Sequence, residues 1–395
     1  MNNIVLPLFV EQIIKTLNRA NFEAYAVGGC IRDSLLGIVP KDWDITTNAT
    51  TENIKALFKK SFDTGIKYGT VTVKIDNNFC QITTFRKDLE YENNRHPKEV
   101  IYTNSIVEDL KRRDFTINAL AYSERSGLID YFRGISDIDN KVIRTVGNAK
   151  ERFSEDALRI LRAFRLSAKL GFEIEQKTKK AACECAFLLK NISTERIKIE
   201  LDLILSSTNP NIIKELVELG ILSRFFLIKT TNFPNLNAIP NKLSRLLTLQ
   251  YYIYENDEVE IRNSLNALKY EKKVLKKLNN FLKAMKDELS NEIEIRKALA
   301  FYGIDAVKVS LYAKKVLFNE DYIIKMQIID KIIKNEDCIS KRQLAVNGDD
   351  LIGLGFEGKQ IGSKINELFN LVLINPKLNK RATLLDIVRE NDNLS

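Results

Sequence analysis

Residues 27–46, VGGCIRDSLLGIVPKDWDIT, constrain the fold more than any other stretch of the chain. Val27 ends a strand, Gly28 and Gly29 make a tight turn, and residues 30–36 form a short helix. Residues 37–40, with a glycine and a proline, break that helix. A second strand then carries Asp42 and Asp44. Residues two apart on a strand point the same way, so the two carboxylates share one face. Paired hard oxygen donors are a natural seat for Mg²⁺. The glycines let backbone N–H groups approach a phosphate closely. A lone D-x-D or a lone Gly-Gly says little. Together with Arg32 and Asp33 they point to nucleotide chemistry.

The segments around this stretch mix helix and strand. Val5, Phe9, Ile13, Ile14 and Leu17 recur at helical spacing. Residues 24–27 read as a short strand, and 51–58 as a helix capped by Thr51. Alternation over 69–75 and 79–85, joined by Asp76-Asn77-Asn78, predicts a pair of strands. Residues 86–98 are polar and lack apolar periodicity, which predicts a mobile loop. Ser105 and Glu108 form a capping box that opens a helix, and TINALAY over 116–122 continues at helical spacing. Residues 128–131 read as a strand before a glycine turn at Gly134.

Beyond about residue 146 strand signals fade and helical periods take over. The expected fold class is therefore α+β. A head over 1–146, with a mixed or antiparallel sheet plus helices, leads into a helical neck over 147–206, a helical body over 207–335 and a helical tail over 336–395. The interruptions at 206–210 and at Asn335-Glu336-Asp337 set the last two boundaries.

Composition removes several function classes. No apolar run reaches the roughly 18 residues of a membrane span. The N-terminal apolar stretch contains Glu11 and lacks a basic start, so it reads as an amphipathic helix and not a signal peptide. Five scattered cysteines without C-x-x-C spacing argue against a disulfide framework or a zinc site and suggest a reducing, cytoplasmic setting. His96 is the sole histidine, which excludes mechanisms built on a histidine cluster. A net charge of +9 favours an acidic partner, with nucleic acid first.

Two further motifs are rich in arginine. RRDFTINALAY at 112–122 sets two arginine forks before an aspartate, and such forks pair with phosphate or sugar oxygens. In EDALRILRAFR at 155–165, Asp156, Arg159, Arg162 and Arg165 recur every third residue. On one helix they form a single stripe beside an apolar face of Leu158, Leu161 and Phe164. Like charges at that spacing repel, and a bound polyanion would relieve them, so the stripe predicts bound phosphate. DYFRGISDI at 130–138 reads as a hinge with no chemistry of its own.

GG-x-x-RD, D-x-D, RRDFT and E-D-x-x-R follow one another here as they do in class II tRNA nucleotidyltransferases, the CCA-adding enzymes of the DNA polymerase β superfamily. The chain resembles that family over 27–165 and again at 344–369, LAVNGDDLIGLGFEGKQIGSKINELF. The resemblance implies addition of C, C and A to the tRNA 3′ end from CTP and ATP, without a nucleic-acid template and with release of pyrophosphate. It implies that Asp42 and Asp44 are the catalytic, Mg²⁺-binding pair, and that Gly28, Gly29 and Arg32 hold phosphates. Arg113 would contact the nucleotide, with Asp114 near its sugar. Asp156 and Arg159 would read the Watson–Crick edge of the incoming base, with Arg162 and Arg165 nearer the triphosphate. Asp156 would accept from the amino group that cytosine and adenine share. Uracil and guanine offer a carbonyl there, which leaves a buried charge unpaired.

One position departs from the family pattern. Where relatives often place a third acid, on the strand entering T-F-R, this chain has Gln81, which cannot serve as an anionic ligand or base. The segment over 86–98 has the length found in relatives that add all three nucleotides, which implies that A addition is retained. Rival readings are an A-only tRNA nucleotidyltransferase, a poly(A) polymerase and a catalytically silent RNA-binding protein. Monomer and homodimer both stay open.

Overall fold

The computed structural model describes residues 4–88, 91–92, 96–97, 100–223 and 233–392. The chain divides into two compact units, Met1–Ile228 and Lys229–Ser395.

The first unit opens with α1 (Leu8–Arg19), which buries Val10, Ile13, Ile14 and Leu17. There follow β1 (Ala24–Val27), α2 (Gly29–Leu35), β2 (Asp44–Thr47), α3 (Thr51–Leu57), β3 (Ser61–Gly65), β4 (Thr70–Ile75) and β5 (Asn78–Thr84). Asp42 lies just ahead of β2 and not in it. Thr50, one residue before the expected position, caps α3 by accepting from the Asn53 N–H. The edge strand β3 was not expected, because its exposed residues show no apolar alternation.

Of the segment expected as a loop over 86–98, β6 (Arg86–Asp88) pairs with β9 (Val100–Tyr102), and β7 (Tyr91–Glu92) with β8 (His96–Pro97). Residues 89–90, 93–95 and 98 lie outside the described residues. Ser105 caps α4 (Ile106–Lys111) as expected. TINALAY is not helical beyond a short 3₁₀ turn at Thr116–Asn118; it becomes β10 (Leu120–Ser123), which pairs with β11 (Gly127–Asp130).

Among the described residues seven strands form one sheet, in the order β11-β10-β1-β2-β5-β4-β3. Every neighbouring pair is antiparallel except β2 and β5, so the sheet is mixed. Period-2 alternation sorts its two faces. One buries Trp43, Ile45, Val71, Val73, Cys80 and Ile82, with α1 and α3 packed on that side. The other carries Asp44, Thr72, Phe79 and Gln81. α4 covers part of this second face, where Ile106 and Leu110 pack with Tyr25, Val27 and Phe85.

The neck helices belong to the same unit. They are α5 (Gly134–Asp139), α6 (Ala149–Glu155), α7 (Leu158–Leu170), α8 (Gln176–Cys185), α9 (Thr194–Leu205) and α10 (Ile212–Glu218). β12 (Val142–Ile143) pairs in parallel with β13 (Glu173–Ile174), tying the end of the head to the neck. The hinge at 130–138 is a locked turn. Asp130 accepts from the Phe132, Gly134 and Ile135 N–H groups, and a Cβ on Gly134 would meet the Thr116 carbonyl at 2.3 Å.

The second unit is built of helices. Helices Glu292–Tyr302, Ile304–Phe318 and Ile323–Lys334 close one core around Ile295, Leu299, Leu311 and Ile329. Lys359–Ile374 and Arg381–Asp392 close another around Leu368, Val372 and Leu384. Buried Arg296 joins them, donating to Asp337 at 2.8 Å and to the Leu373 carbonyl at 3.0 Å. Among the described residues no helix is long and apolar enough to cross a membrane.

Candidate active site

The Gly-Gly turn is shaped by the arginines around it. Gly28 has φ +88°, a conformation that side chains disfavour, and a Cβ there would lie 3.0 Å from Arg113 Nη1. Its N–H donates to the Leu120 carbonyl at 2.9 Å, so that donor is spent within the fold. Arg32, expected on a phosphate, is only 5% exposed. Its Nε and Nη2 donate to Asp33 at 2.8 and 2.6 Å, and its Nη1 donates to Asn118 Oδ1. With each guanidinium nitrogen bonded to a protein acceptor, Arg32 acts as a buttress under the turn.

Asp44 opens β2 with its side chain reaching solvent, and Asp42 is exposed beside it. Trp43 and Ile45 point the opposite way into the core, so the expected shared face holds even though Asp42 precedes the strand. Crowding by protein raises the Asp44 pKa above the ordinary carboxylate range; Arg113 pulls it back and Asp42 raises it further. The three groups therefore feel one another's charge. The β2–β5 register sets Gln81 directly abreast of Asp44. Two adjacent, mutually repelling carboxylates suit a divalent cation. Among the described residues no cluster of three acidic, histidine or cysteine ligands forms a metal site.

Asp109, which the sequence reading did not single out, organises the RRD motif. Fully buried, it accepts from Arg112 Nε and Nη2 at 3.0 and 2.7 Å, from Arg113 Nη2 at 3.4 Å and from Thr46 Oγ1 at 3.1 Å. Burial alone would raise its pKa, but the two arginines and the hydrogen bonds outweigh that and hold it below the usual value. Its spacing of three and four residues from the arginines, on one helical turn, was the available signal.

The arginine stripe is not the free cationic surface that its spacing suggested. Asp156 is not on the same helix: α6 ends at Glu155, and Asp156 sits at the break with its carboxylate accepting from the Leu158 N–H at 3.1 Å and from Arg196 at 2.8 Å. Each arginine meets a protein carboxylate. Arg159 pairs with Glu155 at 2.5 Å, Arg162 with Asp114 at 2.5 Å and Arg165 with Glu200 at 3.2 Å. Their mutual repulsion is thus relieved internally, and bound phosphate is not needed to explain them.

Asp114, expected near the sugar, is largely buried among protein partners. It is 8% exposed and accepts from Arg162, from Asn118 Nδ2 at 3.0 Å and from the Phe115 N–H at 2.9 Å. Burial would raise its pKa, yet Arg162, Asn118 and Arg159 together drive it well below the ordinary carboxylate value.

Residues 112, 113 and 114 tie the site together. The Arg112 carbonyl accepts from Arg159 Nη2 at 3.0 Å. Arg113 lies against the Gly28 turn and within the field of Asp44. Asp114 holds Arg162 and, through Asn118, connects to Arg32. The carboxylate pair, the glycine turn and the arginine helix therefore bear on one tripeptide.

Family profiles match three consecutive segments: "Poly A polymerase head domain" over 24–144, "Probable RNA and SrmB- binding site of polymerase A" over 171–236, and tRNA nucleotidyltransferase domain 2 over 241–388. The chain is 35% identical to the CCA-adding enzyme of Enterococcus faecalis over 395 residues, covering 96% of this chain and 94% of that one. It is 36% identical to the CCA-adding enzyme of Streptococcus gordonii over 371 residues, 90% of each. The crystal structure of the Bacillus stearothermophilus CCA-adding enzyme in complex with CTP superposes with a TM-score of 0.80 at 28% identity, covering 99% of this chain and 100% of that one. Likeness along nearly the whole length, with three of the signatures folded around a tripeptide of the fourth, places this chain in the CCA-adding enzyme family of tRNA nucleotidyltransferases.

Proposed function

We propose that this chain completes the 3′ end of tRNA, adding C, C and A from CTP and ATP without a nucleic-acid template. The tRNA 3′-hydroxyl attacks the α-phosphorus, the new O–P bond forms, and pyrophosphate leaves. The convergence of the acidic pair, the glycine turn and the arginine helix on residues 112–114 is the observation that carries this reading.

CCA-adding enzymes generally use divalent metals. We read the metal here as Mg²⁺, held by Asp42 and Asp44; when bound it supplies charge neutralisation and lowers the pKa of the attacking hydroxyl. Gln81, abreast of Asp44, can donate a hydrogen bond to a substrate oxygen but cannot take the hydroxyl proton. Arg113 meets the triphosphate, with Gly29 at the turn, a role supported by its nearness to the Gly28 turn and to Asp44. Asp156 and Arg159 read the base by exchanging Arg196 and Glu155 for its edge. Arg32, Asp114, Arg162 and Arg165 position these groups. We take 1–146 as head, 147–206 as neck, 207–335 as body and 336–395 as tail, with body and tail giving tRNA a basic surface whose grip weakens with salt. A cytoplasmic location follows from this role.

The test is incubation with tRNAs ending before CCA, after C and after CC, one nucleotide at a time. The expected result is C on the first two and a single A on the third. A on the third alone would mean an A-only enzyme, repeated A a poly(A) polymerase, and no incorporation a silent RNA-binding protein.

Arg159→Ala should lower the CTP-over-UTP ratio of kcat/KM by about 10²-fold, because the edge donor is lost. A ratio of two substrates on one preparation is unaffected by any fraction of unfolded protein. An unchanged ratio would remove Arg159 from base choice.

A further inference from the structure

We propose that Phe62 and Phe79, with Lys74, form a stacking platform for the unpaired 3′ end of the RNA substrate, on the same sheet face as the metal-binding pair. The inference extends the function proposed above by assigning a site to the RNA strand whose hydroxyl reacts.

The two rings belong to neighbouring parts of one surface. Phe79 lies opposite Lys74 in the β4–β5 register, and Phe62 lies opposite Thr72 in the β3–β4 register. Their ring centroids are 6.2 Å apart at an interplanar angle of 49°, and Lys74 Nζ lies 5.4 Å from the centre of the Phe79 ring. Both rings stay open to solvent, Phe62 at 49% and Phe79 at 59% exposure. Two adjacent phenylalanines facing water forgo the burial that would otherwise be their contribution to stability.

Their position gives that exposure a use. Phe79 precedes Gln81 by two residues on β5, about 7 Å along the strand, and side chains two apart share a face. Gln81 is abreast of Asp44. Cys80 Sγ donates to the Trp43 carbonyl at 3.1 Å, so the two chains stay side by side ahead of that pair, toward Asp42 and Phe79. The rings therefore lie next to the place where the attacking hydroxyl must come. α4 packs on this face at the end that carries Tyr25, Val27 and Phe85, through Ile106 and Leu110, and among the described residues the Phe79 ring stays 59% exposed.

Single-stranded nucleic acid is the occupant this chemistry fits. Every base has a π-face, so stacking on an aromatic side chain holds a strand without reading its sequence. That property suits an end whose last base changes with each addition. Lys74 supplies the cation for the backbone phosphate beside the rings. The platform is continuous with the catalytic face, so one strand can lie on the rings while its terminus meets Asp44.

The experiment uses full-length protein and a tRNA ending in CC, with 2-aminopurine as the base just before that CC. In the absence of nucleotide, wild-type protein should quench the fluorescence as the base stacks. Phe62→Ala/Phe79→Ala should abolish the quench and raise the KM for tRNA about tenfold or more, leaving the KM for ATP within about twofold. Phe79→Leu keeps an apolar side chain without an aromatic face and should share the defect, whereas Phe79→Tyr should retain wild-type behaviour. Wild-type quenching and tRNA KM in Phe79→Leu, with the fold checked by circular dichroism, would overturn the platform. Because the quench is read without catalysis, it decides the platform separately from incorporation, and a wild-type protein that adds no nucleotide would instead overturn the function on which the inference rests.

Discussion

Asp44→Ala is expected to give a folded protein that incorporates no measurable nucleotide. Loss of the carboxylate removes half of the metal seat, and a metal's electrostatic contribution to such a transfer is several kcal/mol. That corresponds to a fall of about 10³-fold or more in kcat, read as radiolabelled CTP or ATP added to tRNA. Thermal stability should not fall with it. The Asp44 carboxylate reaches solvent, and its charge is disfavoured in the fold by crowding and by Asp42. Removing it relieves that repulsion, so Tm near neutral pH should equal or exceed that of the wild type. Wild-type turnover by this variant would refute the metal assignment.

Asp114→Ala should cost stability and activity together. Its carboxylate accepts from Arg162, Asn118 and the Phe115 N–H, and without it the Arg162 guanidinium loses its ion-pair partner. Removing one member of a buried pair costs about 3–5 kcal/mol; the lower end applies here because the Arg162 side chain is 34% exposed and water can take up part of its charge. Urea unfolding at pH 7 measures the loss, and an Asp114→Ala/Arg162→Ala double variant should recover part of it. The pH dependence has a definite sign. The fold depresses the Asp114 pKa, so the stabilisation is fully present above the unfolded-state value of about 4 and is lost as pH falls through the lower folded value. The gap between wild type and variant should therefore be constant from about pH 7 to 5 and narrow below about pH 4. A gap that widened in acid would contradict the assignment.

The acidic pair and its shared face were legible because period-2 geometry is local: Asp42 keeps the alternation even two residues ahead of the strand. The β4–β5 hairpin was legible for the same reason. TINALAY was misread as helix because β10 is covered on both sides. Leu120 and Ala121 are both fully buried, so the strand shows no in–out alternation to recognise. β3 escaped notice for the opposite reason, with exposed residues through its middle. The arginine stripe shows where local reading ends. Its spacing identified the residues, but Asp114 and Glu200, which neutralise Arg162 and Arg165, come from 48 and 35 positions away. No window of sequence reveals partners that only tertiary folding delivers.

The ion pairs that reach forward from the first 146 residues bear on how the protein is made. Asp114 waits for Arg162, Asp33, already paired with Arg32, for its second cation Lys169, and β12 for its partner β13. A ribosome that has released only the catalytic lobe has therefore produced a domain in which buried Asp114 still lacks its counterion. Maturation of the lobe is coupled to emergence of the next few dozen residues, and the two segments are best regarded as one unit of co-translational folding.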